Sequence, residues 1–217
     1  MARNKFPIFI ILFILIMITA CTPCTPPGIS SVTISLYPQQ RDWWCWAAST
    51  EMISSYYGHR VLQPDSANFV HGQPPDCSVG CDCWGSAWGA SITDIQNNWT
   101  QWDFTYTYES DSLSWDNLKS TISNSTNCGK SPIMVIWWFY GGGGHVVVAY
   151  GYADTNAGDF VSYRDPWPPS YTEPDHAGDP CVAQAGGGDH VTTYAAFVDD
   201  GVHNWGDSFH HFVYQAP

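Results

Sequence analysis

Two kinds of spacing alternate along the chain. In WWCWAASTEMISSYY, residues 43–57, the positions Ala47, Ala48, Met52, Ile53 and Tyr56 recur at helical intervals, and Gly58 supplies a stop. Later the pattern shifts to short β-branched and aromatic runs. Residues 133–140, IMVIWWFY, and 146–152, VVVAYGY, read as strands; DTNAG at 154–158 has turn chemistry, and FVSYR at 160–164 returns as a further strand. VTTYAAFVDD and FHHFVYQ in the tail are expected to add strands. His210 and His211, adjacent on such a strand, are expected to point to opposite faces in surface or core roles.

A different pattern opens the chain. Arg3 and Lys5 precede an apolar run from Phe6 to about Ile18, which is the order of an export signal, and Ile18-Thr19-Ala20-Cys21 resembles a bacterial lipobox. The expected division is a signal over 1–20, a tether over 21–31 and one domain over 32–217. Cys21 is the expected lipidation site, giving an exported chain anchored to a bacterial membrane, the outer one in a Gram-negative host. Removing the signal leaves five basic residues against 20 acidic ones, so the formal charge moves from -13 to -15. That surface repels nucleic acid and excludes a nucleic-acid binder. No linker or repeat divides the remainder, and a monomer is expected.

Cysteine counting separates roles. Setting aside Cys21 and Cys45 leaves Cys24, Cys77, Cys81, Cys83, Cys128 and Cys181, an even number that allows up to three disulfides in an exported chain without choosing their pairing. Cys77, Cys81 and Cys83 with His71 nearby offer zinc as the rival reading. The spacing lacks a clean two-residue-gap pair and an oxidising compartment favours bridges, so no metal or cofactor is expected.

Cys45 is left without a mate and lies in the first turn of the expected helix, where unpaired N–H groups and the positive dipole end favour a thiolate. A hairpin centred near Thr155 places His145 opposite Asp165, which suits a carboxylate that fixes one ring nitrogen and leaves the other for the thiol. The glycines 141–144, Gly143 and Gly144 above all, leave room for a substrate backbone beside His145. For the oxyanion of acyl transfer, the Cys45 N–H is one donor and the side-chain amide of Gln39 or Gln40 the other.

With Gln39-Gln40, WCWAASTEMISSYYG, GGGHVVVAYGY and YRDPWP in place, the chain resembles the papain-like cysteine peptidases. Among them it is most similar to the bacterial group of the bacteriocin leader peptidases and related effector proteases. Gln39, six residues before Cys45, matches the papain spacing. The resemblance runs from about Gln39 to Pro168, and within it LSWDNLKSTISNSTNCGKSPIMVIW looks like that group's helix followed by the strand before the histidine. It implies an α+β, two-lobed fold, with a helical lobe carrying Cys45, an antiparallel sheet lobe carrying His145 and Asp165, and a peptide-binding cleft between them. Only 17 residues separate Cys21 from Gln39, too few for an inhibitory pro-domain.

Of the 12 tryptophans, Trp43, Trp44 and Trp46 are expected to wall the cleft, with Trp44 and Trp46 as substrate contacts; an aromatic platform for sugars or peptides is the alternative. The expected function is a membrane-tethered cysteine peptidase acting on peptides or proteins. A thiol amidase or transpeptidase of cell-wall peptides and a non-catalytic peptide-binding lipoprotein are the competing readings.

Overall fold

A computed structural model of the protein describes residues 22–40, 43–71, 89–167 and 187–216. The signal and Cys21, together with Cys77, Cys81, Cys83 and Cys181, lie outside the described residues. No helix among the described residues is long and apolar enough to cross a membrane.

The expected helix forms as α1, Cys45–Tyr56, and is buried from Cys45 to Ser54. A helix covered on nearly every side is a central element and needs its polar residues satisfied internally. Thr50 Oγ1 donates to Trp46 O at 2.9 Å, Ser54 Oγ to Glu51 O at 3.3 Å, and Ser49 Oγ to Val146 O at 3.3 Å. Gly58, at φ +79°, ends the helix in the left-handed region that a side chain disfavours. Among the described residues this lobe also holds α2 (Gln63–His71) and α3 (Ile92–Gln101); Ser91 and Asp94 form a reciprocal capping box at the start of α3.

The sheet is antiparallel. Its strands are β1 (Ile29–Ser31), β2 (Phe104–Glu109), β3 (Ile133–Phe139), β4 (Gly144–Thr155), β5 (Gly158–Asp165), β6 (Gly188–Thr193) and β7 (His203–Tyr214). They are ordered β2-β7-β3-β4-β5-β6, with β1 paired to β4. β3 is apolar at consecutive positions because both its faces are covered: Met134 and Ile136 join the cluster around α1, while Ile133, Val135 and Trp137 face helix α4 (Trp115–Ile122) and helix α5 (Tyr194–Val198). This is the α+β, two-lobed arrangement expected.

Four expectations change. Asn156 and Ala157 form a two-residue turn, so Thr155 pairs with Gly158, and a register shift between Ala149 and Gly151 leaves Val148 opposite Arg164. Continuing that register puts Asp165 across from Val147, and His145 is diagonal to it instead of opposite. In the tail, Thr193 ends β6 and caps α5 by accepting the Ala196 N–H, so VTTYAAFVDD is strand and then helix. The rings of His210 and His211 meet, Nδ1 to Nδ1 at 2.6 Å, because His211 has φ +50° where the β2–β7 ladder is irregular; burial, then the neighbouring His211, pushes the His210 imidazole down to about 4.

The fourth change concerns residues 22–31. Instead of leading away as a tether they lie on the domain: β1 pairs with β4, Tyr152 OH donates to Pro27 O at 2.9 Å, and Cys24 is bridged to Cys128. That bridge spans 104 residues of sequence, and loops of this length give roughly 4–5 kcal/mol in the chain-entropy account, with measured values generally lower. The Cys24→Ala/Cys128→Ala double variant is therefore expected to lose about 2–4 kcal/mol in urea unfolding. Unchanged stability would mean that the N-terminal segment is held without the bridge.

Candidate active site

Cys45 is the first residue of α1. The preceding Trp44 provides no side-chain cap, and the first intrahelical bond runs from Ala48 N–H to Trp44 O. The N–H groups of the first turn, that of Cys45 included, are thus outside the helical ladder and point toward the helix start. Cys45 is buried and, among the described residues, is the free cysteine. Ser49 sits one turn further on, on the same face, and its bond to Val146 O ties that face of α1 to the residue following His145. Sequence reading missed Ser49, because a serine inside a helix carries no visible signal of the strand it reaches.

His145 is 3% exposed. Its Nε2 lies 2.7 Å from Asp165 Oδ1, and a carboxylate can only accept, so Nε2 carries the proton and Nδ1 is left facing away from Asp165. Nδ1 has no hydrogen bond of strict geometry, yet the Cys45 thiol acts on the ring as a neighbour, so the sulfur stands near the imidazole without an ideal alignment. Burial by itself lowers the imidazole pKa. The bond to Asp165, followed by the influence of the Cys45 thiol, overcomes it and pushes the value up to about 10.

Asp165 is fixed by its own turn. The Trp167 N–H donates to Asp165 Oδ1 at 2.8 Å, a local bond that an Asp-Pro-Trp sequence makes easily, and the Trp167 ring meets the imidazole edge-on at 5.0 Å. Trp137 flanks the imidazole at 6.3 Å. Both tryptophans shield the ion pair, and neither was singled out by the sequence pattern beyond the motif DPW.

Gln39 is 1% exposed, and its N–H donates to Pro166 O at 3.0 Å, next to Asp165. Gln40 is half-buried and its N–H is bonded to the Gln63 side chain at 2.8 Å. Trp44 and Trp46, expected as substrate contacts, are 3% and 2% exposed and belong to the core around α1, Trp46 meeting His71 edge-on. They exclude water from beneath the helix start and present little surface to a peptide. Trp43 is the exposed member, at 53%. Gly143, at φ +83°, serves the β3–β4 turn and has open space around it, but a Cβ at Gly144 would lie 2.9 Å from the Trp138 ring, so that glycine admits an indole instead of a substrate backbone.

The raised His145 pKa has a sign that can be checked. With the folded value above the unfolded one of about 6.5, the protonated ring contributes stability that is fully present below about pH 6.5 and is lost as pH rises through about 10. Ring resonances of His145 are expected to titrate far above free histidine, and Asp165→Asn should bring the midpoint down because burial is then less opposed. A wild-type midpoint at or below about 6.5 would contradict the ion pair.

A family model described as Peptidase_C39 like family matches residues 32–185, more than two thirds of the chain. None of the curated proteins compared matches it. Among solved structures, the chain is similar to a double glycine motif protease from an AMS/PCAT transporter in complex with the leader peptide, at 17% identity and a TM-score of 0.47, covering 87% of this chain and 97% of the other. The residues matched span Cys45, His145 and Asp165, and the chain belongs to the Peptidase_C39 like family of cysteine peptidases.

Proposed function

We propose that the protein is an exported, lipid-anchored peptidase that cleaves peptide bonds through Cys45, His145 and Asp165, with Gln39 and the Cys45 N–H binding the oxyanion. The observation that carries this reading is the double engagement of His145: a 2.7 Å bond to Asp165 on one nitrogen and the Cys45 thiol acting on the same ring. With the imidazolium as its partner, Cys45 attacks as the thiolate, its proton already on Nδ1, and the bond from sulfur to the substrate carbonyl carbon gives a tetrahedral oxyanion. Collapse breaks the C–N bond as Nδ1–H protonates the leaving amine, giving a thioester. Water then loses a proton to Nδ1 and attacks the thioester carbon, and the second collapse releases the carboxylic acid and restores the thiolate–imidazolium pair. Asp165 keeps accepting from Nε2 throughout and favours the imidazolium.

Gln39 is favoured over Gln40 as the second donor by its burial and its tie to Pro166, beside the carboxylate. Export is supported by the N-terminal signal pattern and by the Cys24–Cys128 bridge, which belongs to an oxidising compartment. Lipidation at Cys21 has a geometric consequence, since three residues reach only about 10 Å before the chain is bridged at Cys24, holding the domain against the bilayer.

Cys45→Ala is expected to abolish cleavage of a proteome-derived peptide library, and Gln39→Ala to lower kcat by about 100-fold. Cleavage that survives Cys45→Ala would end the reading, and purified muropeptides cleaved in preference to the library would redirect it to cell-wall amides. Radiolabelled palmitate should enter the wild type and not Cys21→Ala.

A further inference from the structure

Gln63, the first residue of α2, is 1% exposed and uses its whole amide. Nε2 donates to Pro38 O at 3.0 Å and to Glu51 Oε2 at 2.9 Å, and Oε1 accepts the Gln40 N–H at 2.8 Å. A backbone carbonyl and a carboxylate can only accept and a backbone N–H can only donate, so these partners fix which way the amide points. The residues immediately before and after Gln39 are therefore held by one side chain, while the Gln39 N–H is itself bonded to Pro166 O.

The support continues into the helix that carries Cys45. Glu51, 1% exposed, lies six residues after Cys45 on α1, and its other carboxylate oxygen receives Arg60 Nε at 2.8 Å and Nη2 at 2.6 Å. The Arg60 guanidinium in turn covers the Tyr37 ring at 4.5 Å. Residues 37–40 are thus attached to α1 through the buried Glu51 carboxylate, and at their outer end through Tyr37 OH, 3.2 Å from Ser55 Oγ. The Gln63–Glu51 end of this network is buried and fully hydrogen-bonded, and charge-assisted bonds in such surroundings are the stiff ones. An oxyanion site demands that stiffness, because its donors act only when held at the place where charge develops.

We propose that Gln63, held in turn by Glu51 and Arg60, is a positioning residue that sets the Gln39 side chain against the Cys45 N–H, so that both oxyanion donors take their place from one helix. This rests on the reading of Gln39 as a donor. Gln63→Met keeps the volume and removes the three hydrogen bonds. In the full-length protein, with the peptide that wild type cleaves fastest from a proteome-derived library, it is expected to lower kcat by about tenfold or more while KM stays within about twofold. Alkylation of Cys45 by iodoacetamide, followed by peptide mapping, should keep its wild-type rate, because displacement of iodide by a thiolate develops no oxyanion. In a Gln39→Ala background, Gln63→Met should have no further effect on kcat.

An unchanged kcat in Gln63→Met, a parallel loss of alkylation, or a full additional loss in the Gln39→Ala background overturns the proposal. If Gln39→Ala alone leaves kcat unchanged, the oxyanion reading itself falls and takes this one with it. Should Gln63→Met fail to fold, Arg60→Met at the half-exposed outer end of the network must show the same pattern in smaller degree, and its absence overturns the proposal equally.

Discussion

The site depends on how α1 is seated against the sheet, and the tie nearest to it is Ser49 on α1 donating to the carbonyl of Val146 on β4. Ser49 is one turn from Cys45, and Val146 is the neighbour of His145. A helix buried on nearly all sides cannot rotate or slide without exposing core or stranding polar groups, so its packing, with this bond at one end and Tyr56 OH to Lys130 O at the other, fixes both the height and the facing of α1 against the sheet. The meeting of thiol and imidazole follows from that placement, and needs no special geometry of either residue.

The imidazole is then a matter of competing magnitudes. Full burial disfavours a charged ring, and two neighbours outweigh it: a carboxylate at 2.7 Å and a thiol that carries charge when it gives up its proton. Removing water sharpens both effects, since the same attraction is several times larger at the low effective dielectric of a shielded site than in solvent. Trp137 and Trp167 supply that shielding, and the N–H of Trp167 also fixes the carboxylate, so one short turn orients the acid and covers its partner.

How much was legible follows from which physics is local. Helix α1, the β4–β5 hairpin and the contact of His145 with Asp165 were readable because helical periodicity and turn chemistry act over a few residues. The hairpin register was not: a turn at Asn156-Ala157 and the shift near Gly151, where a Cβ would lie 3.1 Å from the Ser31 side chain and 3.2 Å from that of Ser162, depend on how three strands crowd one position. The His145–Asp165 contact survives this displacement because the side chains meet on the diagonal. Trp44 and Trp46 were misassigned to the cleft because tryptophans beside a nucleophile look the same in sequence whether they line a groove or fill the core beneath it. Glu51, Arg60 and Gln63 were invisible for another reason: their partners are backbone groups and side chains brought near only by the packing of α1, α2 and the segment before Cys45.

The N-terminal segment ties the disulfide to the strand that presents His145. β4 begins beside His145 and at its far end, Gly151 to Ala153, pairs with β1, the strand that follows Cys24. Proline-rich residues such as 22–28 have little intrinsic reason to stay on a sheet, since they bury few side chains and form few ladder bonds. The bridge to Cys128 removes much of the freedom they would otherwise gain by leaving. The strand that presents the imidazole is thereby gripped by β3 and β5 along most of its length and by β1 where β3 no longer reaches. The bridge thus supports the same strand that carries His145, while Cys45, among the described residues, is the cysteine left free to face it.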